Sequence, residues 1–374
     1  MISLKVDDFL VERWMNTYEY NVEVNLAETC VKPFTLKEYL EFVDESDFFK
    51  KIQDKALTYG YIEGYSELRK GLASLYDDVD PDNILVTGGA IEANFNSFYS
   101  LIEPRDIVIS VFPTYQQLFS VPKGFMADVK LLKLCPENKW LPNLDELNEL
   151  VDHKTKMIVI NNPNNPCGSL INSRALKAIC EMAEDVDAYV HSDEAYRGLY
   201  LDPKDKTPSV VDISEKGIAV GSFSKPLSLT GLRLGWITSN HNVIYQCMLH
   251  RDYTTISKSM LNEELAALAM PHLDRVLKRN NEIIRENHKL LDDWIRKEPH
   301  LSWIPPKAGS VGLMRHYLDT SAEKICLDLI KEKSTFLVPG DCFGYPDHIR
   351  IGYGCDKKVL NEGLNRFSEY LDQY

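Results

Sequence analysis

The stretch that decides the fold runs from residue 217 to residue 236 and reads GIAVGSFSKPLSLTGLRLGW. It opens with a short apolar run, Gly217–Ser222, of the kind that forms a buried strand. Lys225 follows directly among small hydroxyl side chains, and Arg233 comes eight residues later. A lone lysine is usually a solvated surface charge. One that follows a buried strand lies where open α/β sheets bind their ligands.

Outward from this stretch, further short apolar runs predict buried strands, and helical patterns separate most of them. The predicted strands are Ile84–Thr87, Ile107–Val111, Val129–Leu134, Met157–Ile160, Ala188–His191, Gly217–Ser222 and Gly235–Thr238. Strands that alternate with helices predict a mostly parallel seven-stranded sheet sandwiched by helices, an α/β fold. The last two runs lie too close together for a helical crossover, so we expect an antiparallel strand there.

A long helical pattern over Pro271–Lys297 marks a change of organisation. Beyond it, the predicted strands are Gly312–Arg315, Thr335–Val338 and His348–Gly352, and the predicted helices are Ala322–Glu332 and Lys358–Tyr370. We therefore predict an N-terminal arm that joins the small domain (1–45), a large α/β domain (46–275) and a small α+β C-terminal domain (276–374).

The charge and the cysteine pattern limit which classes of partner and which cellular compartment are expected. The 56 acidic residues outnumber the 42 basic ones, and the net charge of -14 argues against nucleic acid or an anionic membrane as a partner. The eight cysteines are scattered without a C-x-x-C pair, so we expect reduced thiols and no metal site. The first residues do not resemble a signal peptide, and no apolar run reaches the length of a membrane span. The sequence thus predicts a cytoplasmic protein.

Three other strand ends carry polar signatures. Residues Gly88–Ala93 open a helix, where glycines let the backbone approach a ligand and free N–H groups can bind a phosphate, although a Gly-Gly turn alone is often only a turn. Residues Asn161–Gly168 (NNPNNPCG) form a loop that presents side-chain amides. Asp193 ends another strand, where it either caps a helix or keeps a ring nitrogen protonated. With the lysine and its neighbouring anion binders, these groups suit a phosphate-bearing aldehyde cofactor.

In this order and spacing, the motifs resemble those of the fold-type I enzymes that depend on pyridoxal 5'-phosphate (PLP), specifically the class I/II aminotransferases, over roughly residues 25–371. The resemblance implies the PLP-transferase fold type I and a homodimer with shared active sites. It also implies that an amino group moves between an L-amino acid and a 2-oxo acid through a Schiff base of PLP on Lys225. Asp193 would pair with the pyridinium nitrogen, and the catalytic Tyr196 would bond the phenolic oxygen together with Asn165.

The resemblance implies further contacts to the cofactor and the substrate. The phosphate ligands would be Ser222, Arg233, the backbone N–H groups of Gly89, Ala90 and Ile91, and, in the neighbouring subunit's site, Tyr59. Tyr115 would stack on the cofactor ring. Arg350, in the sequence IRIG, would grip the substrate carboxylate bidentately, with Asn165 and Thr29 also binding the substrate.

The sequence departs from the family pattern at a few positions. Ile91 stands where many relatives have Ser or Thr, so the phosphate keeps only backbone donors there, and Cys167 replaces a common Thr. The segment before Cys30 lacks a usual glycine, so the side chains of Glu28 and Thr29 shape the substrate preference. Residues 250–255 fall where family members place residues that reach the active site of the neighbouring subunit, and the sequence assigns no role to any of them.

Several alternatives stay open. Within the fold, a C–S β-lyase is one, although such lyases usually carry His after an Asp-Glu-Ile stretch, where this chain has Tyr196 after Asp193-Glu194-Ala195. A capreomycidine-synthase-like enzyme that cyclises a modified arginine is another, and Glu28 would suit its basic substrate. Outside the fold, Ser222-x-x-Lys225 matches the nucleophile motif of penicillin-binding acyl enzymes, but no export signal or Ser-Asp-Asn partner accompanies it. A silent PLP-binding regulator has no DNA-binding extension to support it.

Overall fold

The structure, a computed structural model, describes residues 6–374 and confirms the predicted α/β fold. Its strands are β1 (Val24–Asn25), β2 (Ile84–Thr87), β3 (Ile107–Phe112), β4 (Asp128–Lys133), β5 (Thr155–Asn161), β6 (Tyr189–Asp193), β7 (Gly217–Ser222), β8 (Gly235–Thr238), β9 (Leu301–Trp303), β10 (Val311–His316), β11 (Thr335–Phe336), β12 (Val338–Pro339) and β13 (His348–Gly352). Its helices are α1 (Leu10–Tyr18), α2 (Leu36–Phe42), α3 (Phe48–Ile52), α4 (Ser66–Ala73), α5 (Ala90–Leu101), α6 (Gln117–Gly124), α7 (Leu144–Leu150), α8 (Ser173–Glu184), α9 (His241–Arg251), α10 (Met260–Ala267), α11 (Leu273–Ile295), α12 (Ala322–Lys333) and α13 (Lys357–Leu371).

The seven-stranded sheet has the strand order β2-β8-β7-β6-β5-β3-β4. Strands β3 to β7 are parallel to one another, and β8 is antiparallel to both β2 and β7, as expected from the short connection after β7. Every residue of β7 is buried, which explains its continuous apolar run. Asn161 at the end of β5 is in register with Asp193 at the end of β6. The polar strand ends therefore meet at one edge of the sheet.

A second sheet, in the order β12-β13-β10-β9, is antiparallel and belongs to the C-terminal part of the chain. The predicted strand at Thr335–Val338 is two short strands that bind different partners, since β11 pairs with β1 and β12 pairs with β13. Strand β9 is only three residues long, too short for a period to reveal it in the sequence. The N-terminal arm packs here: β1 pairs with β11, and Trp14 Nε1 donates to Leu337 O at 2.9 Å. The domain limits at residues 45 and 275 stay a prediction.

Helix α11 connects the two parts of the chain through asparagines. Asn280 Nδ2 donates to Pro226 O at 2.7 Å, one residue after the candidate lysine. About two turns further along the helix, Asn287 Nδ2 donates to the carbonyl oxygen of Tyr353, the residue directly after β13, at 2.9 Å. Both asparagines are buried, and α11 thereby fixes two backbone segments at the same cavity. Within residues 6–374, no helix is both long and apolar enough to cross a bilayer.

Candidate active site

A cavity of about 570 Å³ lies at the carboxyl edge of the seven-stranded sheet, where the arm and the second sheet close over it. Of the side chains and backbone groups singled out from the sequence, the structure brings these to its lining: Lys225, Asp193, Tyr196, Gly89, Ala90, Ile91, Tyr115, Asn165, Ser222, Arg233, Arg350 and Thr29. Tyr59 does not line it. The cavity is thus the place where strand ends that are distant in sequence converge.

Lys225 enters the cavity from the turn that follows β7. Its ammonium group donates to Thr29 Oγ1 and lies 3.4 Å from Cys30 Sγ. Burial acts to lower the pKa of Lys225, but its electrostatic interactions with Cys30, Tyr196 and Glu28 and its hydrogen bond with Cys30 outweigh burial and hold that pKa above its ordinary value. The lysine therefore reaches the reacting space as a charged group held by the arm.

Asp193 is buried at the end of β6 and makes no ion pair in the described part of the chain. Its Oδ2 accepts from Asn94 Nδ2 at 2.8 Å, and its Oδ1 accepts from the Ala195 amide at 3.0 Å. Burial raises the pKa of Asp193, and these hydrogen bonds and the charge of Lys225 only partly offset it. A buried carboxylate without a cationic partner suits a ligand that carries a positive ring nitrogen.

Asn94 extends this network to a buried histidine. Because Asn94 donates to Asp193 through Nδ2, its Oδ1 is the group that lies 2.9 Å from His191 Nε2. His191 must then carry its proton on Nε2, and its Nδ1 has no partner among residues 6–374. Burial lowers the pKa of His191 to about 3, so the ring is neutral. Sequence reasoning missed Asn94, because an asparagine inside a helix gives no signal of what its side chain faces.

The start of α5 forms an anion cradle. Gly89 has φ +89°, and a Cβ added there would come within 3.2 Å of Arg233 Nη2, so only glycine allows this approach. The first N–H groups of the 12-residue helix face the same space. Ser222 is buried beside them, with its Oγ accepting from the Ser224 amide at 3.1 Å. Backbone donors and a guanidinium suit a phosphate group.

Arg350 supplies a second anion-binding group, from β13. The side chain is 3% exposed; Nη1 donates to Asn165 Oδ1 at 3.3 Å, and Nη2 donates to Ala27 O at 3.0 Å. Its Nε has no hydrogen-bond partner, and no carboxylate pairs with Arg350 within residues 6–374. A buried guanidinium with a free donor fits a ligand carboxylate.

The arm closes the cavity through α1 and the turn after it. Tyr115 packs its ring 4.9 Å from that of Phe9, and its hydroxyl donates to Glu12 Oε1 at 2.7 Å. The lining residues of this segment include Glu12, Met15, Asn16 and Glu19. Sequence reasoning missed them, although their i, i+3, i+4, i+7 spacing indicates a single helix face.

Tyr59 lies outside the cavity and is 80% exposed. Its loop is held from the C-terminal end of α9, in the 250–255 stretch for which the sequence suggested no role. Buried Arg251 donates from Nη1 to Val86 O at 2.7 Å and from Nη2 to Ile62 O. Thr255 Oγ1 donates to Glu92 Oε1 at 2.6 Å, on the first turn of α5. This stretch therefore supports the Tyr59 loop and the anion cradle.

These groups fit PLP. Lys225 would hold its aldehyde, Asp193 its ring nitrogen, and the cradle at α5 its phosphate. Lys225, Asp193 and Arg233 of the cradle form no ion pair within residues 6–374, so each can bind the cofactor. A lysine, a buried carboxylate and an anion cradle at one edge of this sheet define a PLP-dependent enzyme of fold type I.

The particular family follows from comparison with known proteins. The model of the family described as aminotransferase class I and II matches residues 26–367. The chain belongs to this family. A crystal structure of a PLP-dependent aminotransferase from Streptococcus suis superposes with a TM-score of 0.96 at 40% identity, over 99% of both chains.

Two sequence relatives differ in the activity that their names describe. A capreomycidine synthase from Streptomyces vinaceus is 26% identical over 363 residues, 96% of this chain and 93% of that protein. An aspartate aminotransferase from Pyrococcus horikoshii is 28% identical over 351 residues, 88% of this chain and 90% of that protein. The chain is thus similar both to a protein named as a synthase and to one named as an aminotransferase.

Proposed function

We propose that the protein transfers the amino group of an L-amino acid to a 2-oxo acid, with Lys225 as the catalytic base and acid. The observation that carries this proposal is the placement of Lys225 Nζ in one cavity with buried Asp193 and the free Nε of Arg350. When bound, PLP supplies an electron sink for the negative charge that develops at the substrate α-carbon. The proposal is also supported by the family to which the chain belongs, since that family is described as aminotransferases of class I and II.

The chain's own residues divide the remaining work. Arg350 and Asn165 bind and orient the substrate carboxylate, so that the α-hydrogen faces Lys225 Nζ. Lys225 takes that proton and returns it, once its own proton has been lost. Asp193 would keep a positive charge on the ring nitrogen, and the hydroxyl of Tyr196 would donate to the phenolic oxygen. The arm, through α1, excludes water from the reacting atoms.

A half-reaction tests this proposal. The PLP-loaded protein is incubated with single L-amino acids, without a 2-oxo acid, and the cofactor and products are quantified by chromatography. We expect pyridoxamine 5'-phosphate and one 2-oxo acid to form in a one-to-one ratio, because the amino group has no other acceptor. Adding a 2-oxo acid should then regenerate PLP. Catalytic release of ammonia and pyruvate without conversion of the cofactor would show a C–S lyase instead.

A ring-forming activity is the second candidate, and the similarity to capreomycidine synthase favours it. The same incubation separates the two. A product with the amino group retained and a new ring, together with unchanged PLP, would contradict transamination. The Tyr196 that stands in place of the lyase histidine supports transfer over C–S cleavage.

We also propose a homodimer with shared active sites. Tyr59 is exposed, and its loop and the segment after Arg251, which bonds that loop, expose further apolar side chains, namely Leu57 at 82%, Tyr253 at 84% and Ile256 at 41%. Such a patch beside the anion cradle suits a second copy of the chain. In that dimer, Tyr59 of one subunit would reach the phosphate in the other.

Subunit complementation tests the shared site. Tyr59→Ala and Lys225→Ala variants should each be nearly inactive as homodimers. When the two chains are co-expressed in equal amounts, about a quarter of all sites should regain both groups, because half of the dimers are mixed and each has one intact site. Activity that stays at the level of the two separate variants, or a fully active monomer in sedimentation, would contradict the proposal.

A cytoplasmic location is proposed on the state of the thiols. All eight cysteines are unpaired, and five of them are buried. Burial raises the pKa of the Cys180 and Cys247 thiols to about 12, so these groups stay protonated and unreactive. Unpaired thiols are typical of a reducing compartment. Recovery of the protein with secreted rather than cytoplasmic markers would contradict this.

A further inference from the structure

Three carboxylates of the N-terminal segment line the active-site cavity: Glu12 on α1, Glu19 just after it, and Glu28 beyond β1. None of the three forms an ion pair within residues 6–374. Two are held in place by hydrogen bonds from neighbouring groups. Glu28 Oε1 accepts from the Thr29 amide at 2.7 Å and the Cys30 amide at 2.9 Å, and Glu12 Oε1 accepts from the Tyr115 hydroxyl at 2.7 Å. They form a wall of fixed acidic groups.

The charges in the cavity do not balance once the cofactor and the substrate backbone are bound. Among the lining residues that the structure describes, the cations are Lys225, Arg233 and Arg350. In the proposed function, Lys225 joins the cofactor aldehyde, Arg233 faces the phosphate, and Arg350 binds the substrate carboxylate. Asp193 faces the ring nitrogen. The three half-buried glutamates are then left without a positive partner among the described lining residues, so a cationic group of the substrate would be the one to pair with them.

The uncompensated wall lies near the place where the substrate is anchored. Glu12 and Glu28 line the same cavity as Arg350, whose buried Nε is free; burial lowers the pKa of Arg350, and the two carboxylates are among the groups that act against that effect. An amino acid whose carboxylate is bound by Arg350 therefore has the acidic wall within reach of its side chain. Burial acts to raise the pKa of Glu28, but Lys225 and the Cys30 hydrogen bonds hold it below its ordinary value, so this carboxylate is ionised.

We infer that the amino donor is an amino acid with a cationic side chain, an ammonium or a guanidinium, which the wall of Glu12, Glu19 and Glu28 binds. This inference rests on the proposed function, since it needs the substrate carboxylate at Arg350. A side-chain carboxylate would meet three like charges and no free cation in the described lining, so dicarboxylic amino acids are poor donors. The arm thereby selects by charge.

Pairs of donors that match in shape and differ in charge test the inference. The PLP-loaded, full-length protein is compared with L-arginine against L-citrulline, and with L-lysine against L-norleucine, with L-aspartate and L-glutamate as acidic donors. Rates come from cofactor conversion, and binding comes from the shift in the thermal unfolding midpoint. We expect the cationic member of each pair to convert the cofactor at least about tenfold faster than the neutral one, because it forms charge-assisted hydrogen bonds.

Substitution of the wall distinguishes charge selection from a structural effect. Glu12→Gln and Glu28→Gln should each lower kcat/KM for cationic donors by about 10- to 100-fold, since each removes a charged hydrogen-bond partner. The rates with L-citrulline and L-norleucine should stay within about twofold, and the cofactor absorbance should not change. The matched control is Glu41→Gln, an exposed glutamate on α2 away from the cavity, which should change neither rate.

The outcomes separate the two proposals. If neutral or acidic donors convert the cofactor as fast as cationic ones, the inference is overturned while the proposed function stands. If the glutamine variants lose activity equally with charged and neutral donors, the wall has only a structural role and the inference is also overturned. If no amino acid of any charge converts the cofactor, the proposed function itself fails.

Discussion

Replacing Lys225 with alanine should abolish amino transfer, with a fall in kcat of at least about 10⁴-fold, because one group supplies both the covalent attachment of the cofactor and the proton transfer. The variant should stay folded. The amine contacts only Thr29 and Cys30 among the described residues, and neither contact crosses the core of the large sheet. The measurement is single-turnover conversion of an amino donor, with the visible absorbance of the loaded protein recorded alongside.

The control for this experiment is Lys177→Ala, on the exposed face of α8, where Glu181 is the one ion-pair partner of the side chain within residues 6–374. It should leave both the rate and the absorbance unchanged. Turnover and absorbance that both survive in Lys225→Ala would mean that the mechanism proposed here is wrong.

Asp193→Asn should lower kcat by about 10²- to 10⁴-fold, because a neutral amide cannot stabilise a charged ring nitrogen in a dry site. The fold should tolerate the change. The new amide oxygen can still accept from Asn94 Nδ2, which now donates to Asp193 Oδ2 at 2.8 Å. The pH at which the bound cofactor changes its absorbance should move as well, and a purely structural defect would not move it.

A second variant, Asn94→Ala, tests a weaker change at the same site. It removes one hydrogen bond to the Asp193 carboxylate and should lower kcat by about tenfold. Asp54→Asn, at an exposed position of the loop after α3, serves as the matched control. If Asp193→Asn retains the parent kcat and absorbance titration, Asp193 does not act on the ring nitrogen. If Asn94→Ala costs as much as Asp193→Asn, the two side chains act as one unit.

The sequence allowed the large sheet and the strand-end chemistry to be predicted for a simple physical reason. Parallel strands end at the same edge, so Asp193 and Lys225 could be expected to meet from their positions after buried runs. Asn94 could not be expected, because the direction of its side chain depends on how α5 packs against β6. Glu12 was missed because α1 reaches the cavity only after the arm binds a partner more than 300 residues away, as Trp14 does at Leu337.

The two asparagines of α11 have a consequence for how this enzyme can diverge. Asn280 is bonded beside Lys225, and Asn287 is bonded beside the end of β13, which carries Arg350. The two asparagines are seven residues apart, or about 10 Å along the helix. Helix α11 therefore holds Lys225 and Arg350, the two groups that bind the backbone of the amino acid, at a fixed spacing. The acidic wall, in contrast, sits on the arm and has no bond to α11 in the described chain. Substrate choice can therefore drift by substitutions in the first 30 residues while the reaction geometry is inherited unchanged.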